Sequence, residues 1–184
     1  MDYFSEVTIP KMRESDRKRI AVIGETPLAL ALANRFLYQA HNVVFYVRNK
    51  EEMHRLTDTR HSDLLPDILL CKRLRFTANA KTAVHNRSCI VMDPADEVSW
   101  KKCAKLMAKT EQTIVLVLGD TAEELPEELR AHRIVYLEKP ETANDLTHNR
   151  NVTMNARSKD PDALKTVEEM LRDETFRIKT IEEE

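Results

Sequence analysis

Glycine is what this sequence most conspicuously lacks: only Gly24 and Gly119 occur in 184 residues, against an average usage of about 7%. A fully Gly-rich phosphate cradle is therefore excluded. Cysteine is nearly as scarce. Cys71, Cys89 and Cys103 are odd in number, widely spaced and never arranged as CxxC, which excludes a disulfide framework and points to reduced thiols. His41, His54, His61, His85, His132 and His148 show neither HxH nor HExxH spacing, so no metal ligand is assigned. No excess of one charge exists either. Lys plus Arg number 29 and Asp plus Glu 31, which gives no electrostatic case for nucleic acid or an anionic membrane. The first nineteen residues lack the apolar core of a signal peptide, and no apolar run is long enough to span a bilayer. A cytoplasmic location without membrane insertion is the expectation. No Ser/His/Asp or Cys/His arrangement can be assembled from local motifs, and Cys89 falls in a buried-strand pattern where thiols are usually inert.

What is present is a regular alternation of apolar strand and amphipathic helix patterns, in a length that suits one domain. RIAVIG (19–24) reads as a strand and PLALALANRFLYQA as the helix after it. NVVFYV (42–47) with the charged, helix-prone KEEMHRL repeats the unit. A loop carrying His61 to Pro66 leads to a weak strand, LRFTA (74–78), and then to SCIVMD (88–93), a stronger one. DEVSWKKCAKLMAKT reads as a helix with Asp96 as its N-cap and Trp100, Leu106 and Met107 on its apolar side. TIVLVLGD (113–120) is the most continuous apolar run, the pattern of a central strand buried on both faces. PEELRAH is a brief helical stretch, RIVYLE (133–138) a strand, and ETANDLTHNR a helical or irregular connection. NVTMNARS (151–158) and FRIKTIE (176–182) are the last strands, separated by a helix that Asp160 caps and Pro161 opens. The alternation predicts a Rossmann-like, doubly wound, mostly parallel sheet with helices on both faces. Residues 1–17 and the acidic Glu182 to Glu184 are expected to be flexible, and 18–184 to form the single domain.

The segment RIAVIGETPLALALANRFLYQAHNVVFYVRN resembles the opening of NAD-dependent glycerol-3-phosphate dehydrogenases, which reads roughly as RIAVIGAGSWGTALA, a short helix, then GHEVTLWVRD. TRHSDLLPDILLCKRLRFT resembles the family's segment with a YLPGIKLP core, and IVMDPADEVSW its strand ending in a proline. LEKPETANDL resembles LSGPSFAEEV, and SKDPDALKTVEEMLRDETFRIKT the stretch that closes the cofactor domain with FRVYT. The resemblance covers residues 19–181 in the same order and at similar spacing. It implies the family's cofactor-binding domain. In the family a helical C-terminal domain with a catalytic lysine follows.

Within this resemblance the GxGxxG positions read Gly24, Thr26 and Ala29. The first glycine makes the tight turn, the second admits the pyrophosphate and the third lets helix pack on strand. Ala29 is a mild change. Thr26 puts a branched side chain where the pyrophosphate belongs, and Pro27 removes an N–H at the helix start. The helix dipole over Pro27, Leu28 and Leu30 survives, leaving at most a weak anion site. Arg48 matches the family's arginine near the adenosine ribose, and Pro94 its strand-ending proline. Asp93 ends a strand at the edge where α/β sheets bind ligands. Gly119 falls where the family has a lysine, Asp120 brings the opposite charge nearby, and Lys139 replaces a glycine while Pro140 and Ala143 are kept. These departures lead to an expectation of no catalytic residue and no cofactor beyond at most weak NAD binding, with Gly24, Thr26, Pro27, Leu28, Arg48 and Pro94 as a vestigial dinucleotide site. The chain reads as a non-catalytic pseudoenzyme that serves as a protein-interaction or structural module, with a protein partner or a second copy. Two rivals are the NAD-binding half of a split dehydrogenase and a sensor of a phosphate-bearing metabolite.

Overall fold

Side chains alternate across a strand with a period of two, so a strand apolar at every position must be covered on both faces. β1 (Arg19–Ile23) meets this condition, with Ile20 to Ile23 all fully buried. Ile20 and Val22 face one core and Ala21 and Ile23 the other. The same division runs through β2 (Asn42–Tyr46), β6 (Cys89–Met92) and β7 (Ile114–Leu118), whose alternate residues enter opposite cores. The computed structural model describes residues 17–39, 41–107, 113–119, 125, 127–138, 143–148 and 150–182.

Ten strands and six helices are described. β3 (His61–Ser62) and β4 (Leu65–Leu69) form a small antiparallel hairpin, where the sequence suggested only a loop. The other eight strands make one sheet in the order β10-β9-β8-β7-β6-β1-β2-β5, with β5 at Arg75–Thr77, β8 at Arg133–Leu137, β9 at Val152–Ser158 and β10 at Phe176–Glu182. Every adjacent pair in it is parallel except β8 with β9. The expected doubly wound, mostly parallel architecture is therefore present, with β7 in the interior of the sheet.

Helices α1 (Pro27–Tyr38), α2 (Lys50–Thr59) and α6 (Pro161–Leu171) contribute their apolar residues to one core, and α3 (Ala80–Val84) and α4 (Glu97–Ala104) to the other. α5 (Ala143–Thr147) adds Leu146 to the first core. α3 was missed because five residues hold too little periodicity to register. α4 stops sooner than its sequence suggests, and residues 108–112 lie outside the described residues. A single 3-10 turn, Glu127–Leu129, stands where a short helix was expected. Of the segments expected to be flexible, residues 1–16, 183 and 184 lie outside the described residues. No described helix is long and apolar enough to cross a membrane.

The chain leaves β1 toward β2 and β5 on one side, then returns to build β6 and β7 on the other. That reversal opens a crevice at the carboxyl ends of β1 and β6, the place where open α/β sheets bind ligands. His41 ties the opposite, amino-terminal end together. Its Nδ1 accepts from the Lys18 N–H at 3.1 Å and its Nε2 lies 3.2 Å from the Met170 carbonyl.

Candidate functional site at the carboxyl edge of the sheet

The first feature at this edge is a turn that only glycine makes comfortably. Gly24 leaves β1 at φ +135°, a region that L residues rarely adopt. A Cβ built there would stand 2.8 Å from the Asp93 Cβ, too close for any substitution without a shift. Strand ends of β1 and β6 are thus drawn together through bare backbone. Gly119, the other glycine, leaves β7 at the same φ of +135°. Both glycines of the chain therefore sit at the carboxyl edge of the sheet.

Thr26 follows as the N-cap of α1. Its Oγ1 accepts the Ala29 N–H at 3.2 Å and donates to Asp93 Oδ2 at 2.6 Å. The side chain expected to project toward a pyrophosphate is folded back onto two protein partners. Pro27 occupies the first helical position, where its missing N–H costs the helix nothing. With Ala29 capped and Pro27 lacking a donor, the Leu28 N–H is the remaining first-turn donor beside the positive end of the helix dipole. The Leu28 side chain packs against the first core. Pro27 instead lines a hollow of 230 Å³ with the β3–β4 hairpin residues Leu65 and Ile68 and with Ala143 of α5.

Carboxylates converge on the loop between Gly24 and Thr26. Asp96, the N-cap of α4, accepts the Ser99 N–H at 3.3 Å and the Glu25 N–H at 2.9 Å. Burial opposes its ionisation, yet the hydrogen bonds from Glu25 and Ser99 and the Arg48 charge together hold the carboxyl below its ordinary range. Arg48, just past β2, donates from Nε to Glu25 Oε2 at 2.6 Å, and its Nη1 lies 4.0 Å from Asp96 Oδ1. That bond to Glu25 is the main reason the guanidinium holds its proton even more firmly than usual. Asp93 is buried and caps the following turn by accepting the Ala95 N–H at 3.0 Å. Pro94 follows it, half-buried.

Gly24, Thr26, Arg48 and Pro94 are therefore brought to one edge, joined through Asp93, Asp96 and Glu25. Pro27 and Leu28 stand at the helix start but turn their side chains elsewhere. Glu25 escaped the sequence reading because nothing local marks an exposed-looking glutamate as the partner of an arginine 23 positions later. Asp120, Lys139 and Pro140 lie outside the described residues.

Comparison with known proteins places this edge in context. The family model for the N-terminus of NAD-dependent glycerol-3-phosphate dehydrogenase matches residues 19–164. A glycerol-3-phosphate dehydrogenase (NAD(P)+) of Leuconostoc citreum is 25% identical over 183 residues, covering 88% of this chain and 53% of the relative. The chain thus spans about half the length of that curated relative. In fold it is similar to the glycerol-3-phosphate dehydrogenase of Coxiella burnetii, with a TM-score of 0.76, 15% identity, and 90% of this chain and 54% of that chain covered. A UDP-glucose dehydrogenase from Pyrobaculum islandicum superposes with a TM-score of 0.73 at 16% identity, over 94% of this chain and 48% of that one. The match to an NAD-dependent family, with a relative named for NAD(P)+, overturns the expectation that no cofactor is bound. That expectation treated Thr26 as an obstruction, whereas its hydroxyl is turned into the helix cap and toward Asp93.

Proposed function

Because the chain belongs to the family of NAD-dependent glycerol-3-phosphate dehydrogenase N-termini, matched over residues 19–164, we propose that it binds a nicotinamide dinucleotide at the carboxyl edge of β1, β2 and β6 as a non-catalytic cofactor-domain module. The observation that carries the binding is Gly24. Its positive φ and its contact distance to Asp93 keep backbone, not side chain, at the crevice where the sheet order reverses. The Leu28 N–H and the α1 dipole would meet the pyrophosphate, and Arg48 the adenosine end once Glu25 releases it. The bound group would supply hydride chemistry, while this chain's residues hold and orient it. Support for a non-catalytic role is chemical: Gly119 stands where the family has a lysine. In this reading the domain serves as an interaction or structural scaffold.

A second reading is favoured by one fact, that the match takes in 53% of the Leuconostoc relative. On it the chain is the NAD-binding half of a split glycerol-3-phosphate dehydrogenase, completed by catalytic groups outside the 184 residues.

A thermal melt with and without millimolar NADH tests the binding. Ligand at 100 times its dissociation constant stabilises by about 2.7 kcal/mol, a shift of several degrees. A saturable rise is expected, and a midpoint that ignores NADH overturns the proposal. NADH oxidation with dihydroxyacetone phosphate should be absent for this chain. Turnover appearing only on adding the family's helical domain in trans would establish the split enzyme instead.

A further inference from the structure

The eight-stranded sheet has two edges of unequal kind. At one of them β5 is three residues long, too short to template another strand. At the other, β10 runs for seven residues in unbroken register with β9 and contains neither proline nor bulge. Among the described residues no strand pairs with its outer side.

The phase of its hydrogen bonds follows from its neighbours. In a parallel ladder alternate residues turn both N–H and C=O to the same side. The Val152 N–H donates to the Thr175 carbonyl at 2.8 Å, so Arg177, Lys179 and Ile181 bond to β9, while Phe176, Ile178, Thr180 and Glu182 turn outward. Asn155 of β9 fits this phase, because its carbonyl faces β8 and accepts the Glu138 N–H at 2.9 Å. The first outward residue is already satisfied. The Phe176 N–H donates to Asp173 Oδ1 at 2.7 Å, and its carbonyl accepts the Asp173 N–H at 3.0 Å. Ile178, Thr180 and Glu182 have no such cap, and their outward groups bond to no described residue.

That uncapped set is self-complementary. About a twofold axis perpendicular to the sheet at Thr180, a second β10 lies antiparallel, with Thr180 facing Thr180 and Ile178 facing Glu182. Every uncapped residue then finds a partner, and threonine pairs are favourable across strands. Other registers fail. An axis at Lys179 opposes like charges and uses groups that face β9. One at Ile178 sets Arg177 against Lys179 and Thr180 against the capped Phe176, and one at Glu182 leaves Ile178 unpaired. With the axis at Thr180, Lys179 lies beside Ile181, whose 38% exposed side chain covers the lysine methylenes. A hollow of 740 Å³ where α6 meets β10 is lined by Arg177 and Ile178, which project to opposite faces, and it leaves room for the incoming strand end.

We propose that β10 is a dimerisation edge: a second copy of this chain adds its own β10 antiparallel about Thr180, so that one sheet continues across both copies. This surface is separate from the crevice at β1, β2 and β6, and the proposal does not depend on dinucleotide binding there.

Sedimentation velocity of the full chain across the micromolar range is expected to show a concentration-dependent dimer. Thr180→Pro removes an outward N–H without touching the β9 ladder, and Thr180→Lys places like charges at the axis. Both should sediment as monomers where the parent is dimeric, with the parent's circular dichroism. Cross-linking tests the register whatever those variants do. Opposed residues of a hydrogen-bonded antiparallel pair stand about 5.5 Å apart at Cα, within disulfide range, whereas the two Ile178 positions would be about 14 Å apart along the strands. With Cys71 replaced by serine, and with Cys89 and Cys103 buried, Thr180→Cys should oxidise to a covalent dimer and Ile178→Cys should not. A constant monomeric mass overturns the proposal, as does a dimer that persists in Thr180→Lys. Equal cross-linking through Ile178→Cys, or none through Thr180→Cys, overturns it too.

Discussion

Gly24 is the residue at which substitution is most constrained. Alanine there must hold φ near +135° and place its Cβ 2.8 Å from that of Asp93. Backbone strain of this kind costs about 1–3 kcal/mol before the clash is counted. Denaturant unfolding of Gly24→Ala should show at least that loss, and parental stability would mean that the turn can be re-formed without glycine. At Glu25 the expected effect is on ligand rather than fold. Glu25→Gln removes the ion pair that occupies Arg48, and because Arg48 is 49% exposed the gain is that of a surface pair. NADH affinity should rise roughly two- to fivefold, whereas an unchanged dissociation constant would show that Arg48 is not used. His41 governs a pH effect. Burial is the largest influence and lowers its pKa below 6.5, against the contact with the Met170 carbonyl. The unfolded chain therefore binds the extra proton first as pH falls, and ∂ΔG/∂pH is positive in that window. Stability should be full above about pH 6.5 and decline below it toward the folded pKa, and His41→Gln should flatten that slope.

At the scale of elements, capping decides where the helices begin. Asn49, Asn79, Asp96 and Asp160 each accept an N–H of the first turn of α2, α3, α4 and α6. Asp160 has a further task, because both its oxygens receive the Arg133 guanidinium, at 2.5 and 2.9 Å, and so fasten the start of α6 to β8. That bond is the main cause holding its carboxyl down to about 2. The contribution is present above the ordinary carboxylate range and is lost as pH falls through about 2. Asp160→Ala should cost about 1 kcal/mol, chiefly as a lost cap, with Asp160→Asn recovering part of it. Equal losses in both variants would point to the Arg133 pair as the larger share. Arg35 performs a similar connection across the first core, from α1 to Asp173 at 2.6 Å.

For the whole molecule, the proposed interaction role needs a contact surface. Val98 at 63% exposure and Leu106 at 45% are the exposed large apolar side chains in and just after α4, while Ile181 stands far off on the edge strand β10. Scattered apolar residues are ordinary, and a contiguous patch marks an interface. Sedimentation velocity across the micromolar range should reveal self-association if α4 is that surface. A constant monomeric mass would direct the search for a partner to another protein.

The central strands β1, β2, β6 and β7 were legible from their own residues because a continuous apolar run can only be satisfied between two helical layers. The caps of α4 and α6 were legible because an Asp before a helix offers its oxygen to the first turn whatever the tertiary setting. The β3–β4 hairpin and α3 were not, since β3 is two polar residues, β4 carries Pro66 and Asp67 inside its run, and α3 is little more than one helical turn. The order of the glycine-poor loop also followed from the sequence: Gly24, Thr26, Pro27, Arg48 and Pro94 were all marked. Only the fold decided how they are used. Glu25 meets Arg48 across 23 positions, and Thr26 meets Asp93 across 67. Such pairings depend on which strand ends the parallel sheet brings side by side, and no local property of the chain encodes that distance.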